Sequence, residues 1–331
     1  MVWRICVVLA AVATVVSGLT AVSANAASAA ESGGRGGCAP ALPTGQTTVH
    51  ITSGGLDRLV VVYLPERLAS FGHRPPAVLT LHGSQSTALE QLDRSQLEGA
   101  ADADGFVLAA PQGALPAPPG YRWFVPYVTG PSGPDDEQFL IDVINYLAGS
   151  ACVDTGRVYA TGYSGGGRMV SAFACDHPDR IAALIAVAGL RAGAPVSDGA
   201  GGYLPDPATC APSRPLPVLA FGGTADPVNP FGGGGAPYWG YGYEAAAARW
   251  AVLNGCQSAP ATREVTEHVS SISYRACKAN ADVVLYVVAG GGHTWPGSSA
   301  FWPPELGPVT TEISANDILW SFVRTRVTHP A

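Results

Sequence analysis

Ser164 stands in Thr161-Gly162-Tyr163-Ser164-Gly165-Gly166-Gly167, a Gly-x-Ser-x-Gly pattern. An apolar run, 157–161, precedes it, and a helical pattern, 166–175, follows. A serine hydroxyl becomes a nucleophile when a sharp turn presents it and a neighbouring base takes its proton. Glycines on either side let the backbone make that turn without Cβ clashes. The helix N-terminus behind the serine favours negative charge developing on a substrate oxygen. The base is expected to be a histidine held in one tautomer by a carboxylate. On a strand–turn–helix scaffold the partners should follow in the order Ser, Asp, His, each just past a later strand. Asp226 ends Gly222-Gly223-Thr224-Ala225-Asp226 after the apolar run 217–221, and His293 follows three glycines after the run 283–289. His177, His268 and His329 lack this strand-then-glycine setting. Ser164, Asp226 and His293 are therefore the expected catalytic residues.

Stabilising an oxyanion takes two backbone N–H groups. One is expected from Gly165 and the other from Ser84 in Leu81-His82-Gly83-Ser84-Gln85, with Gln85 the alternative. His82 should pack beneath this loop and hold it through a ring hydrogen bond. Aromatic residues crowd two further stretches, 121–127 and 231–243. From these and the segment after His293, Trp123, Tyr238, Trp239 and Trp295 are the candidate substrate-binding rings, forming a stacking surface for an aromatic acid, a sugar or a polyester chain. The competing reading is that they cap the core under long loops. Asp135-Asp136-Glu137 reads as a helix start. No other grouping has metal-ligand spacing, so neither metal nor cofactor is expected.

These residues need a scaffold that brings them to one edge. Apolar runs at 48–52, 58–64, 77–81, 106–110, 157–161, 183–188, 217–221 and 283–289 read as eight strands. Most are continuously apolar, as strands buried on both faces are. Helical patterns lie at 87–103, 135–147, 166–175, 243–253 and 314–326. The first two strands are separated by a short glycine-containing turn and can form a hairpin. Thereafter strands and helices alternate, which predicts an α/β three-layer sandwich with a mostly parallel eight-stranded sheet and helices on both faces.

Composition narrows the classes. Of 331 residues, 13% are charged, 41 are Gly and 28 are Pro, and the formal net charge is −7. With 18 basic residues against 25 acidic ones, nucleic-acid binding is excluded, because it needs a surplus of Lys and Arg to displace counterions from phosphates. The N-terminus carries one positive charge, Arg4, then a largely apolar stretch, 5–22, and an Ala-x-Ala pattern ending at Ala26. Residues 1–26 thus read as a secretory signal peptide and 27–37 as a flexible leader, with residues 38–331 forming one catalytic domain. The expected protein is extracellular, without membrane association after cleavage, and monomeric. Cleavage removes Cys6 and leaves six cysteines, which in an exported chain imply up to three disulfides among 15 connectivities.

Four segments together resemble the secreted polyhydroxybutyrate depolymerase family of esterases, itself similar to feruloyl and acetylxylan esterases. They are Leu81-His82-Gly83, the run from Arg157 through Ser164, Gly223-Thr224-Ala225-Asp226, and Gly291-Gly292-His293-Thr294-Trp295-Pro296-Gly297. The resemblance covers residues 38–327. It implies an α/β-hydrolase fold and a serine esterase that cleaves short-chain polyhydroxyalkanoate polyesters or oligomers through an acyl-enzyme. The alternatives are a feruloyl or acetylxylan esterase, an acyltransferase or peptidase on the same fold, and a non-catalytic binding module. Gly165 departs from the side chain often found after the nucleophile and is expected to loosen the turn slightly. Unlike many polymer depolymerases, this protein is expected to lack a linker and a separate binding domain. With this fold, the expected disulfides are Cys152–Cys175, Cys256–Cys277 and Cys38–Cys210.

Overall fold

The structure, a computed structural model, describes residues 38, 40–70 and 74–328. The expected signal peptide and leader, and His329, lie outside the described residues. Ten strands form the main sheet: β1 (Gly45–Ser53), β2 (Leu56–Leu64), β3 (Ala77–Leu81), β4 (Val107–Pro111), β5 (Val158–Tyr163), β6 (Ala183–Val187), β7 (Val218–Gly223), β8 (Ala261–Glu264), β9 (Val269–Tyr274) and β10 (Val283–Val288). Their order across the sheet is β1-β2-β4-β3-β5-β6-β7-β10-β9-β8. From β4 to β10 every neighbour is parallel, and the flanking pairs are antiparallel. This is the mostly parallel α/β sandwich that the apolar runs imply.

The strand count is a correction. Ten strands replace the expected eight, because β8 and β9 carry no apolar signal. The inward face of β9 is Val269, Ser271 and Ser273, while Ile272 and Tyr274 are only partly buried, and β8 is exposed throughout. Periodicity read from hydrophobicity alone points the wrong way in such an edge ribbon.

Among the described residues six helices cover the sheet: α1 (Ala88–Ser95), α2 (Leu97–Asp104), α3 (Asp136–Ser150), α4 (Gly165–Asp176), α5 (Tyr243–Leu253) and α6 (Ala315–Val323). Successive strand residues point to opposite faces. Leu79, Ala160 and Val218 accordingly pack with Phe139, Phe173 and Trp250 of α3, α4 and α5. Val78, Tyr159 and Leu219 pack with Leu92, Leu97 and Leu319 of α1, α2 and α6. The single helix expected over 87–103 is broken at Gln96, which adopts φ 54° and ψ 29°. The break is held from outside: Ser298 Oγ donates to Arg94 O and Asn316 Nδ2 to Ser95 O, while Gln96 bonds Ser299 through both amide atoms. Among the described residues no helix is long and apolar enough to cross a membrane.

The disulfides are Cys38–Cys152, Cys175–Cys210 and Cys256–Cys277. Two of the expected pairings, Cys152–Cys175 and Cys38–Cys210, are therefore replaced. Ala41 N donates to Ser150 O at 2.8 Å, which draws the N-terminal segment along the end of α3 and brings Cys38 to Cys152. The 207–209 turn meanwhile closes on the 193–194 segment through Ala194 N to Thr209 Oγ1, placing Cys210 against the end of α4.

Candidate active site

The parallel strands end in register, and that alignment gathers the site. Leu81 pairs with Gly162, Tyr163 with Val187, Phe221 with Val187, and Gly223 with Val288. The loops carrying Ser84, Ser164, Asp226 and His293 all leave this edge.

Ser164 occupies the turn between β5 and α4 at φ 52° and ψ −112°, a conformation that costs a non-glycine residue on the order of 1–3 kcal/mol. Its N–H donates to Val187 O, and its carbonyl accepts from Arg168 N in the first turn of α4. The bend is tight enough to exclude side chains on both sides. A Cβ at Gly162 would lie 2.3 Å from Gly166 C, and one at Gly166 would lie 2.2 Å from Leu81 O.

His293 Nδ1 lies 2.7 Å from Asp226 Oδ2, and both side chains are buried. The other Asp226 oxygen accepts from Val228 N and Asn229 N, each at 2.8 Å. Asp226 is thus an acceptor held on both oxygens, which directs a proton to His293 Nδ1 and leaves Nε2 as the ring's basic atom. Tyr163, the residue before Ser164, donates its hydroxyl to His293 O at 2.7 Å, and its ring lies 5.0 Å from the imidazole. No hydrogen bond joins Ser164 Oγ to His293 among the described residues. Such contacts commonly close only once substrate is bound.

The Ser84 amide approaches the same turn. A Cβ at Gly165 would lie 2.9 Å from Ser84 N and 2.5 Å from Ser84 Oγ. Glycine here is a requirement of space, correcting the expectation that it merely loosens the turn. Gln85 N donates to Tyr121 O, so that amide is already used, whereas Ser84 N makes no backbone bond among the described residues. His82 is fully buried beneath the loop. Its Nδ1 bonds Gly83 O, and its Nε2 meets Gly113 N and Gln112 Nε2, each at 2.9 Å. Burial pushes its pKa down to about 4, so the ring is neutral and accepts at Nε2.

Three of the four candidate binding rings belong to the core instead. Trp123, Trp239 and Trp295 are at most 2% exposed, and each spends its indole N–H on a loop: on His82 O, Pro230 O and Asn316 Oδ1 respectively. A large ring with one polar atom is well suited to pinning loops, and composition cannot separate that use from stacking. Tyr238 is partly buried, with the Arg168 guanidinium 4.3 Å from its ring centre. Among the described residues the exposed aromatic rings are Tyr121, Tyr127, Tyr203 and Phe301. Tyr121 is bonded to the Ser84–Ser86 loop through Gln85 N and Ser86 O, which sets it beside the site.

Residues 133–192 match the profile of the prolyl oligopeptidase family, a segment spanning α3, β5, α4 and β6. Over 275 residues the chain is 33% identical to NocK of Nocardia uniformis subsp. tsuyamanensis, an esterase by designation, covering 75% of this chain and 74% of that protein. It is 32% identical over 244 residues to feruloyl esterase B of Piromyces equi, covering 71% of this chain but only 42% of that longer protein. Among solved structures, an acetyl xylan esterase from Aspergillus awamori superposes with a TM-score of 0.54 at 19% identity, over 75% of this chain and 94% of the other. That likeness concerns the fold.

Proposed function

The chain belongs to the family of α/β-hydrolase esterases that includes NocK, and from that premise we propose that its natural substrates are feruloyl or acetyl esters of plant cell-wall polysaccharide. It is a carboxylic-ester hydrolase of the serine type. Ser164 is the nucleophile, His293 the base and then the acid, and Asp226 the group that holds His293. The observation carrying this assignment is the 2.7 Å contact between His293 Nδ1 and a doubly anchored Asp226, beside a serine at φ 52°.

In this reaction His293 Nε2 takes the Ser164 proton as Oγ attacks the ester carbonyl. The carbonyl oxygen gains charge and is met by the N–H groups of Gly165 and Ser84. Collapse expels the alcohol, protonated by His293, and leaves an acyl group on Ser164. Water activated by the same histidine then releases the acid. The sequence pattern at residues 1–26 supports export, which would bring the enzyme to polymeric substrate.

The feruloyl and acetylxylan names of the relatives favour this substrate class over the polyhydroxyalkanoate polyesters first implied by resemblance. The exposed ring of Tyr121, bonded to the Ser84–Ser86 loop, suits an aromatic acid or a sugar chain. The test is a comparison of kcat/KM on feruloylated arabinoxylan fragments, acetylated xylo-oligosaccharides and 3-hydroxybutyrate oligomers. The first or second should exceed the third by at least tenfold; the reverse order would overturn the assignment.

A further inference from the structure

Among the described residues of this acidic chain three arginines are buried, and two have strong acceptors. Arg58 donates to Asp136 at 2.6 Å, and Arg191 donates to the carbonyls of Leu190, Trp239 and Tyr241. Arg168 has no such clasp. It lies one turn beyond Ser164 on α4, is 8% exposed, and keeps a buried Nη1 without a hydrogen-bond partner. Its Nη2 reaches Ser84 Oγ at 3.4 Å and would lie 3.4 Å from a Cβ at Gly165. Its guanidinium lies 4.3 Å from the Tyr238 ring centre, and among the described residues it forms no salt bridge with a carboxylate.

An uncompensated buried cation is costly to the folded state. The negative charge formed nearby during the reaction is on the carbonyl oxygen between the Gly165 and Ser84 amides. We infer that Arg168 is a positioning residue of the oxyanion hole, holding the Ser84 loop through its hydroxyl and setting a fixed positive charge behind the two amides. This rests on Ser164 being the nucleophile. The cation meets its counter-charge only as the tetrahedral species forms, so it assists the transition state more than the bound ester and acts on kcat rather than KM. Tyr238 keeps the guanidinium in place by lying against its face.

The experiment compares Arg168→Met, Arg168→Lys and Ser84→Ala with the native enzyme on p-nitrophenyl acetate, and measures inhibition by phenylboronic acid, whose adduct on a serine is tetrahedral and anionic. Folded enzyme is counted by melting temperature and circular dichroism. Arg168→Met should lower kcat by roughly 10–100-fold with KM within about twofold. Boronate affinity should fall in parallel, and Arg168→Lys should recover part of both. If Arg168→Met does not fold, Arg168→Lys and Ser84→Ala carry the same comparison with a smaller expected loss. A folded variant with native kcat, or one whose kcat falls while boronate affinity is unchanged, overturns the inference and leaves the esterase reading intact. A native enzyme whose hydrolysis survives Ser164→Ala would instead remove the reading on which it rests.

Discussion

Replacing Gly165 with alanine separates the structural from the chemical demands on the turn after Ser164. Gly165 opens α4 with a backbone conformation open to any residue, and on helix propensity alone alanine would stabilise it by up to about 1 kcal/mol. The new Cβ would stand 2.9 Å from Ser84 N, while ordinary contact begins at 3.4 Å. The Ser84 amide must therefore retreat by about 0.5 Å, whereas the Ser84 hydroxyl, 2.5 Å away, can rotate aside. A hydrogen bond lengthened from about 2.9 to 3.4 Å loses most of its value. Removing one oxyanion donor entirely costs on the order of 10²–10³ in kcat, so this partial displacement should cost about 10–100-fold. KM should stay near native, because the oxygen becomes fully charged only in the transition state. The assay is steady-state hydrolysis of p-nitrophenyl acetate beside a calorimetric melting temperature. A Gly165→Ala enzyme with native kcat and an equal or higher Tm would refute Ser84 N as the second donor.

Three further outcomes follow from charge and from the disulfides. Glu137 on α3 faces Asp176 at the end of α4; burial first, and then the Asp176 charge, raise its pKa to about 8. Between about pH 4.5 and 8 the folded chain keeps a proton that the unfolded chain has released, so this site lowers stability as pH rises through that window. Glu137→Gln should therefore raise Tm by a few degrees at pH 8 and by little at pH 4.5; an equal effect at both would contradict the raised pKa of Glu137. Cys175→Ser with Cys210→Ser should lower the unfolding free energy by about 2–4 kcal/mol in urea titration. Non-reducing peptide mapping should link Cys175 to Cys210 and Cys38 to Cys152; a Cys152–Cys175 peptide would contradict the fold.

The sheet edge that carries the proposed catalytic residues was legible because it is written in short-range patterns. The apolar runs 157–161, 217–221 and 283–289, which become β5, β7 and β10, each stop just before a glycine, and Ser164, Asp226 and His293 follow within a few residues. His82 was readable for a similar reason, since the loop after β3 leaves a buried ring only backbone and amide partners. What sequence could not supply were facts set by distant parts of the chain. Whether Trp123, Trp239 and Trp295 face solvent depends on which loop carbonyl or amide each indole reaches. The break at Gln96 depends on residues 298–299 and 316, some 200 positions away. The disulfides turned on where the 207–210 segment docks, and the lack of a partner for Arg168 is a property of the packed chain alone. β8 and β9 were lost because serine lines their buried side.

The proposed mechanism requires an acyl bond to form at Ser164. Native enzyme should be quenched in acid during turnover of a p-nitrophenyl ester, digested, and mapped by mass spectrometry. An acyl group is expected on the peptide containing Ser164, absent in Ser164→Ala, whose kcat should fall by about 10⁴–10⁶-fold without loss of fold. Acylation at another residue, or turnover near the native rate in Ser164→Ala, would contradict the mechanism.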